Sequence, residues 1–209
     1  GLADASAYTM SAWVRPEGDI NQPVSVLAFG FDIVLYHERE SFGYIDANTG
    51  FQEANVASPT GTWYHVAATV APDDRGVLYI DGQEAATFTT EERPSATDGF
   101  AMGHRGNGDT GNAFFEGRID EVRLWTEART PQQIRASMHQ TLTGDEENLA
   151  SYWRFDADDA DVVYDHAGSA LGSLGGTPVP QRDVSGAGLG QAAGLASGGA
   201  DVTVGPSGG

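Results

Sequence analysis

Residues 114–134 read FFEGRIDEVRLWTEARTPQQI. The first half carries the strand signal: aromatics, a turn glycine, then apolar residues at Ile119, Val122 and Leu124 among charges. At Thr130-Pro131 the period changes. Proline at a first helical position, behind a threonine cap, predicts a helix start. Ile134 and Met138 follow four apart on one face, and the helix is expected to end near Gln140. A closing strand that feeds a short helix therefore frames the whole reading. It leaves a question: whether the adjacent Asp120 and Glu121 are catalytic, metal-ligating or architectural.

Strands dominate the residues before this stretch. YTMSAWVRP (8–16) stops at Pro16. VSVLAFG (24–30), FDIVLYHE (31–38), SFGYIDA (41–47), TWYHVAATVA (62–71) and GFAMGHR (99–105) are further strand runs between turn residues. GVLYIDG followed by QEAATFTT predicts a hairpin of 76–80 with 83–88 about Asp81-Gly82. LASYWRF (149–155) is the last strong strand. Strands at this spacing predict an all-β sandwich or barrel with one short helix. After Tyr164 the chain has no Phe, Tyr or Trp, and residues 170–209 hold 12 of its 28 glycines. We therefore expect a domain over 1–176 and a Gly-rich tail or linker over 177–209, with ADVTV (200–204) as either one edge strand or the first strand of a neighbouring domain.

Composition excludes several functions. The 209 residues carry 30 acidic and 11 basic side chains, a formal charge of -19, and every basic residue is Arg. Such a field repels nucleic acid and anionic lipid. It is expected of a protein adapted to high salt, whose stability should rise with ionic strength. Cysteine is absent, which removes disulfides, thiolate metal sites and cysteine nucleophiles. No apolar run approaches the 18 or so residues of a membrane span. With no initiating Met, the sequence is expected to be part of a longer chain.

Five motifs, in order, resemble one family: YTMSAWVRP, GTWYHVAATV, GVLYIDGQE, FEGRIDEVRLW and LASYWRFD. They are similar to the laminin-G-like, concanavalin A-like jelly-roll modules of bacterial surface proteins, over roughly residues 8–175. The resemblance implies a sandwich of two antiparallel sheets. It also implies a non-catalytic module of a larger secreted or cell-surface protein, binding carbohydrate or extracellular protein beside other domains of its chain. A structural Ca²⁺ is often part of such modules. In many members the YWRFD…VYDHAG type of segment precedes the first strand. Here it comes last, and we expect 149–155 to close the sandwich beside 117–125.

Related enzymes of this fold that cleave β-glucans carry Glu-x-Asp-x-Glu, three acids on one strand face. The corresponding alternate positions here are Arg118, Asp120 and Val122, so no catalytic residue is assigned. A degenerate glycoside hydrolase and a purely structural spacer are the alternatives. In a regular strand Asp120 shares the inward face of Val122 and Leu124, while Glu121 faces solvent or pairs with Arg123. An inward carboxylate needs a partner. Either it caps a turn, or, in the family reading, Asp120 and Asp165 of the Asp165–Gly168 turn hold Ca²⁺ with carbonyl oxygens. The run Asp156, Asp158, Asp159 and Asp161 lacks the glycine and terminal glutamate of an EF-hand and reads as a solvated loop. Strand-centre tryptophans Trp13, Trp63, Trp125 and Trp153 read as core. For a ligand-binding face the sequence offers Tyr36, Tyr44 and Phe51 near loops, with Asn107, Asp109 and Asn112 in the polar loop GNGDTGN (106–112).

Overall fold

The Asp81-Gly82 hairpin forms as the sequence predicts. Both turn residues have positive φ, 49° and 70°, the left-handed pair that a two-residue hairpin requires. Strands Arg75–Ile80 and Gln83–Thr89 flank it, with Ile80 opposite Gln83. The same alternation builds the rest of this computed structural model, which describes residues 2–3, 5–18, 21–30, 32–95, 98–104, 114–156, 162–168, 171–175, 179–182, 191–195 and 201–204.

In chain order the strands are β1 (Tyr8–Pro16), β2 (Val24–Phe29), β3 (Ile33–Glu38), β4 (Ser41–Asp46), β5 (Gly50–Ala57), β6 (Tyr64–Val70), β7 (Arg75–Ile80), β8 (Gln83–Thr89), β9 (Phe100–Met102) and β10 (Gly117–Trp125). Helix α1 (Pro131–Ser137) follows, then β11 (Leu149–Trp153), β12 (Val162–Tyr164), β13 (Leu171–Gly175), β14 (Val179–Arg182), β15 (Gln191–Leu195) and β16 (Asp201–Val204). They form two eight-stranded antiparallel sheets. One runs β14-β15-β10-β1-β6-β7-β8, with β11 also on β10; the other runs β12-β13-β16-β9-β2-β3-β4-β5.

The core lies between the sheets. Alternate residues of β1 (Tyr8, Met10, Ala12, Val14) meet Leu27, Leu35, Phe42 and Tyr44 of the facing sheet in one buried cluster. Phe100 stacks on Trp153 at 5.3 Å and Tyr44 on Phe88 at 4.1 Å. Each fully buried side chain of this size contributes about 1.5–3 kcal/mol. Trp153 belongs to this cluster, and β11 pairs with β10 from Val122 opposite Trp153 to Trp125 opposite Leu149. The strand expected to close the sandwich beside 117–125 does so.

Helix α1 covers the outer face of the first sheet. Thr130 caps it, with reciprocal bonds between Thr130 and Gln133 and proline in the first turn, and Ile134 packs on Ala67 and Tyr79. It ends at Ser137, a little before the expected end near Gln140.

The C-terminal part differs from the expected tail. β14, β15 and β16, all beyond residue 176, continue the two sheets: β15 pairs with Gly117–Ile119 of β10, and β16 with β9. The strand expected at 200–204 forms as β16, but between β13 and β9 rather than at an edge, while β14 and β15 are placed by main-chain pairing and show no apolar alternation to read. β5 was likewise unread. It is an edge strand whose Phe51 and Val56 are exposed.

Candidate functional site

Asp120 and Glu121 sit where β10 is irregular. Trp13 lies opposite Asp120 and Ser11 opposite Arg123, so the longer strand carries an extra residue. Glu121 takes it up with φ 52°, a bulge. Ile119 and Val122 both face the core as a result, and Asp120, next to Ile119, is turned to the other face. The expectation that Asp120 shares the face of Val122 fails for this reason. Its carboxylate is buried and accepts one N–H, from Glu121 at 2.8 Å. Burial, followed by the neighbouring Glu121 charge, pushes its pKa up to about 9.

Glu121 is buried rather than facing solvent, and it pairs with Arg123 at 2.5 Å. The Tyr152 hydroxyl donates to the same carboxylate oxygen at 2.5 Å. Arg123 donates onward to the carbonyls of Ser137 at 2.8 Å and Gln140 at 2.5 Å. This buried pair pins the segment after α1 to the sheet.

Asp165 lies across β11 from this point, bridged to Trp153. One carboxylate oxygen accepts three main-chain N–H groups, from Tyr152 at 2.8 Å, Ala167 at 3.0 Å and Gly168 at 2.9 Å. The other is crowded by Gly168, where a Cβ would come within 2.5 Å. Strand β11 separates Asp120 from Asp165, and no group of three His, Asp or Glu able to hold a metal occurs among the described residues. That second Asp165 oxygen is buried with no hydrogen-bond partner among the described residues. Both aspartates serve the backbone.

The proposed ligand face also changes. Tyr44 is wholly buried, and its hydroxyl meets that of Tyr8 at 2.7 Å. Alternation with Phe42 sends it into the core. Tyr36 is on the outer face but buried among Ala28, Val34 and Ile45. Its ring lies on Gly43, where a Cβ would come within 2.3 Å, and the edge of Phe51 packs on it at 5.7 Å. Burial, then Glu53 and Glu38, pushes its hydroxyl up to about 12. Asn107, Asp109 and Asn112 lie outside the described residues.

A groove lies elsewhere, at one end of the first sheet. It measures about 500 Å³ and opens between β1, the loop before β6, the Asp81-Gly82 turn and the residues after α1. That is within the range of small-ligand sites. Trp13, Trp63, Arg15, Asp81 and His139 line it. Each wall is braced by a bond. The Trp13 indole N–H donates to the Met138 carbonyl at 2.7 Å. Arg15 Nε donates to the Gly61 carbonyl at 3.0 Å, which fixes the loop that carries Trp63. Arg135 of α1 donates to the Gly82 carbonyl at 2.6 Å, and one Asp81 oxygen accepts the His65 N–H at 2.8 Å. His65 packs edge-on against Trp13 at 5.5 Å, and its burial, then Arg123 and His139, push its imidazole down to about 3. The groove thus rests on a neutral ring. Trp63 is half-buried and Asp81 exposed. Together they supply an aromatic surface and a fixed acceptor, while Arg15 supplies a cationic donor.

Trp13 and Trp63 read as core in the sequence, and for Trp13, Trp125 and Trp153 burial agrees. Trp63 differs because it precedes β6 rather than lying inside it. The glycine two residues before it, Gly61 with φ 81°, was the available signal for a turn there.

A family model described as concanavalin A-like lectin/glucanases superfamily, of laminin G type, matches residues 1–135. The chain belongs to this superfamily. No curated protein matches the sequence. Among solved structures, a candidate carbohydrate binding protein from Bacteroides ovatus ATCC 8483 is similar, with TM-score 0.71 and 22% identity over 81% of this chain and 52% of that one. The chain therefore spans about half the length of that protein. Domain 4 of AbnA, an extracellular arabinanase from Geobacillus stearothermophilus solved with arabinotriose, gives TM-score 0.51 and 24% identity over 65% and 68%. The SAP-like pentraxin of Limulus polyphemus gives 0.50 and 17% over 64% and 70%. At these identities the likeness is one of fold.

Within this concanavalin A-like sandwich, the acids of β10 are committed to the protein itself. A second groove, about 480 Å³, borders α1 on another side. Its Trp125 face is already covered by the Arg129 guanidinium at 3.6 Å, and Glu127, Glu146 and Glu147 line it. It leaves no open ring for a sugar. Among the described residues no helix is long and apolar enough to cross a membrane.

Proposed function

We propose that this chain is a non-catalytic carbohydrate-binding module of a larger secreted or cell-surface protein. Its ligand sits in the groove of Trp13 and Trp63. The observation that carries this reading is the braced groove itself. Half-buried Trp63 offers an apolar face to the C–H side of a sugar ring, and Asp81 and Arg15 offer an acceptor and a donor to its hydroxyls. Aromatic surface with a few fixed polar groups is the usual chemistry of such sites. Catalysis of glycoside cleavage needs two carboxyl groups flanking one bond. Among the described residues, Asp81 is the single carboxylate lining this groove. The charge of -19 suits an environment of high salt.

Affinity electrophoresis through gels containing soluble polysaccharides tests the reading. The chain should be retarded by at least one of them, Trp63→Ala should migrate freely, and no reducing ends should appear. Migration unaffected by every polysaccharide, or release of reducing sugar, overturns it.

A further inference from the structure

The groove differs in charge from the rest of the molecule. The whole chain carries -19. Among the described residues the groove lining holds one Arg and one Asp, and so has a formal charge of zero with His139 counted neutral. The second groove, by contrast, sets three glutamates against Arg129. Asp81 is built into the groove with particular care. Its φ of 49° is imposed by the hairpin, and Arg135 clamps the following carbonyl. One of its oxygens is spent on the His65 N–H. Its other oxygen has no hydrogen bond from the described residues and stands at an exposed position on the groove rim.

Resting on the carbohydrate-binding reading, we infer that the groove selects neutral glycans and that Asp81 is the residue that sets this selection. The free oxygen accepts hydrogen bonds from sugar hydroxyls, while Trp63 takes the ring's C–H face and Arg15 donates to a hydroxyl or ring oxygen. A uronate or sulfate ester placed there would face the Asp81 carboxylate directly, under a long-range field of the same sign. A cationic glycan would be drawn to the whole acidic surface, and to the second groove more than to this one.

Asp81→Asn is the discriminating variant. Asparagine tolerates the left-handed backbone, and it keeps the oxygen that caps His65. It turns the ligand-facing acceptor into a donor. The probes are a neutral glucan, galactan, arabinan and mannan, with polygalacturonate as the anionic and glycol chitosan as the cationic polymer. Each is run at 0.1 M and 1 M KCl, with Trp63→Ala as the control for the groove. The expected result is Trp63-dependent binding of a neutral glycan that salt leaves unchanged. Asp81→Asn should weaken it about tenfold, as for loss of a charge-assisted hydrogen bond, with an unshifted melting temperature. Trp63-dependent binding that prefers polygalacturonate or glycol chitosan overturns the inference but leaves the carbohydrate reading intact. So does an Asp81→Asn variant that binds as tightly as wild type. Failure of every polymer to bind overturns both.

Discussion

The sandwich buries two aspartates and treats them in opposite ways. Asp46, at the end of β4, is fully buried. One of its oxygens accepts the N–H groups of Asn48 and Thr49, and the other accepts the Thr90 hydroxyl and the N–H groups of Glu91 and Glu92. Burial alone would raise its pKa, but these bonds, led by Thr90, outweigh it and hold the carboxyl below its ordinary range. Asp120, in the β10 bulge, is buried to a similar degree but accepts one N–H. Burial and the charge of Glu121 raise it instead. Desolvation is common to both; the number of donors decides the sign. Asp46 works as an ionised clamp between the β4–β5 turn and the segment after β8. The bulge gives its partners to Glu121 instead, where Arg123 and Tyr152 meet the carboxylate and work against the burial that raises its pKa.

That division of labour predicts the largest mutational effect in the molecule. Arg123→Met removes the cation from Glu121 and frees the carbonyls of Ser137 and Gln140. Breaking a buried pair from one side costs about 3–5 kcal/mol. Urea denaturation at neutral pH should show a loss of this size. A loss under about 1 kcal/mol would mean that water already serves Glu121, and the contrast between the two regions would be one of solvation only. Arg123→Met should also loosen the Trp13–Met138 wall of the groove, and so weaken glycan binding without touching the ligand.

The clamp comes next. Asp46→Ala leaves up to five donors without their carboxylate. Bonds to a charged group are worth about 1.5–3 kcal/mol each but are not additive, and we expect a net loss of about 3 kcal/mol. Its pH dependence follows from the sign of the shift. A carboxyl held below its ordinary value stabilises the fold above the unfolded value of 3.8, and that stability is lost as the pH falls through the lower folded value. The gap between wild type and Asp46→Ala should be full at pH 6 and shrink in strong acid. A gap that grows in acid would reverse the assignment.

The two regions also differ in how readable they were. The order of apolar residues gave β1, β6 and the β7–β8 hairpin, because a half-buried strand must alternate. Thr130-Pro131 gave α1 through its cap. Asp120 drew attention because a carboxylate sits among Val122 and Leu124, yet the added residue of the bulge has no signature in residue type: Glu121 adopts a left-handed φ that glycine usually takes. Asp46 drew none, since an Asp at a strand end before Asn48-Thr49-Gly50 looks like any turn residue, and its second set of donors comes from 44 to 46 residues away. The groove was hidden for the same reason. Its residues come from four places in the chain, near 13–15, 61–63, 81 and 138–139, and only the fold brings them together. β14 and β15 were missed because main-chain pairing, not side-chain pattern, places them.

The smallest effect is also the sharpest test of the comparison, because it should be a gain. Asp120→Asn keeps an oxygen for the Glu121 N–H and removes the ionisable group. A carboxyl whose folded pKa is raised from 3.8 to about 9 contributes stability that is complete below pH 3.8 and is lost as the pH climbs to about 9. Asparagine does not titrate, so the variant escapes that loss. Near pH 3.5 the two proteins should differ little. At pH 8 the variant should be the more stable by about 1 kcal/mol or more. The full shift would give a larger figure, and movement of the bulge reduces it. Paired denaturation curves at pH 3.5 and pH 8 decide the matter. If Asp120→Asn is no more stable than wild type at pH 8, the aspartate is ionised and served there, and the bulge is a second clamp rather than the opposite of the first.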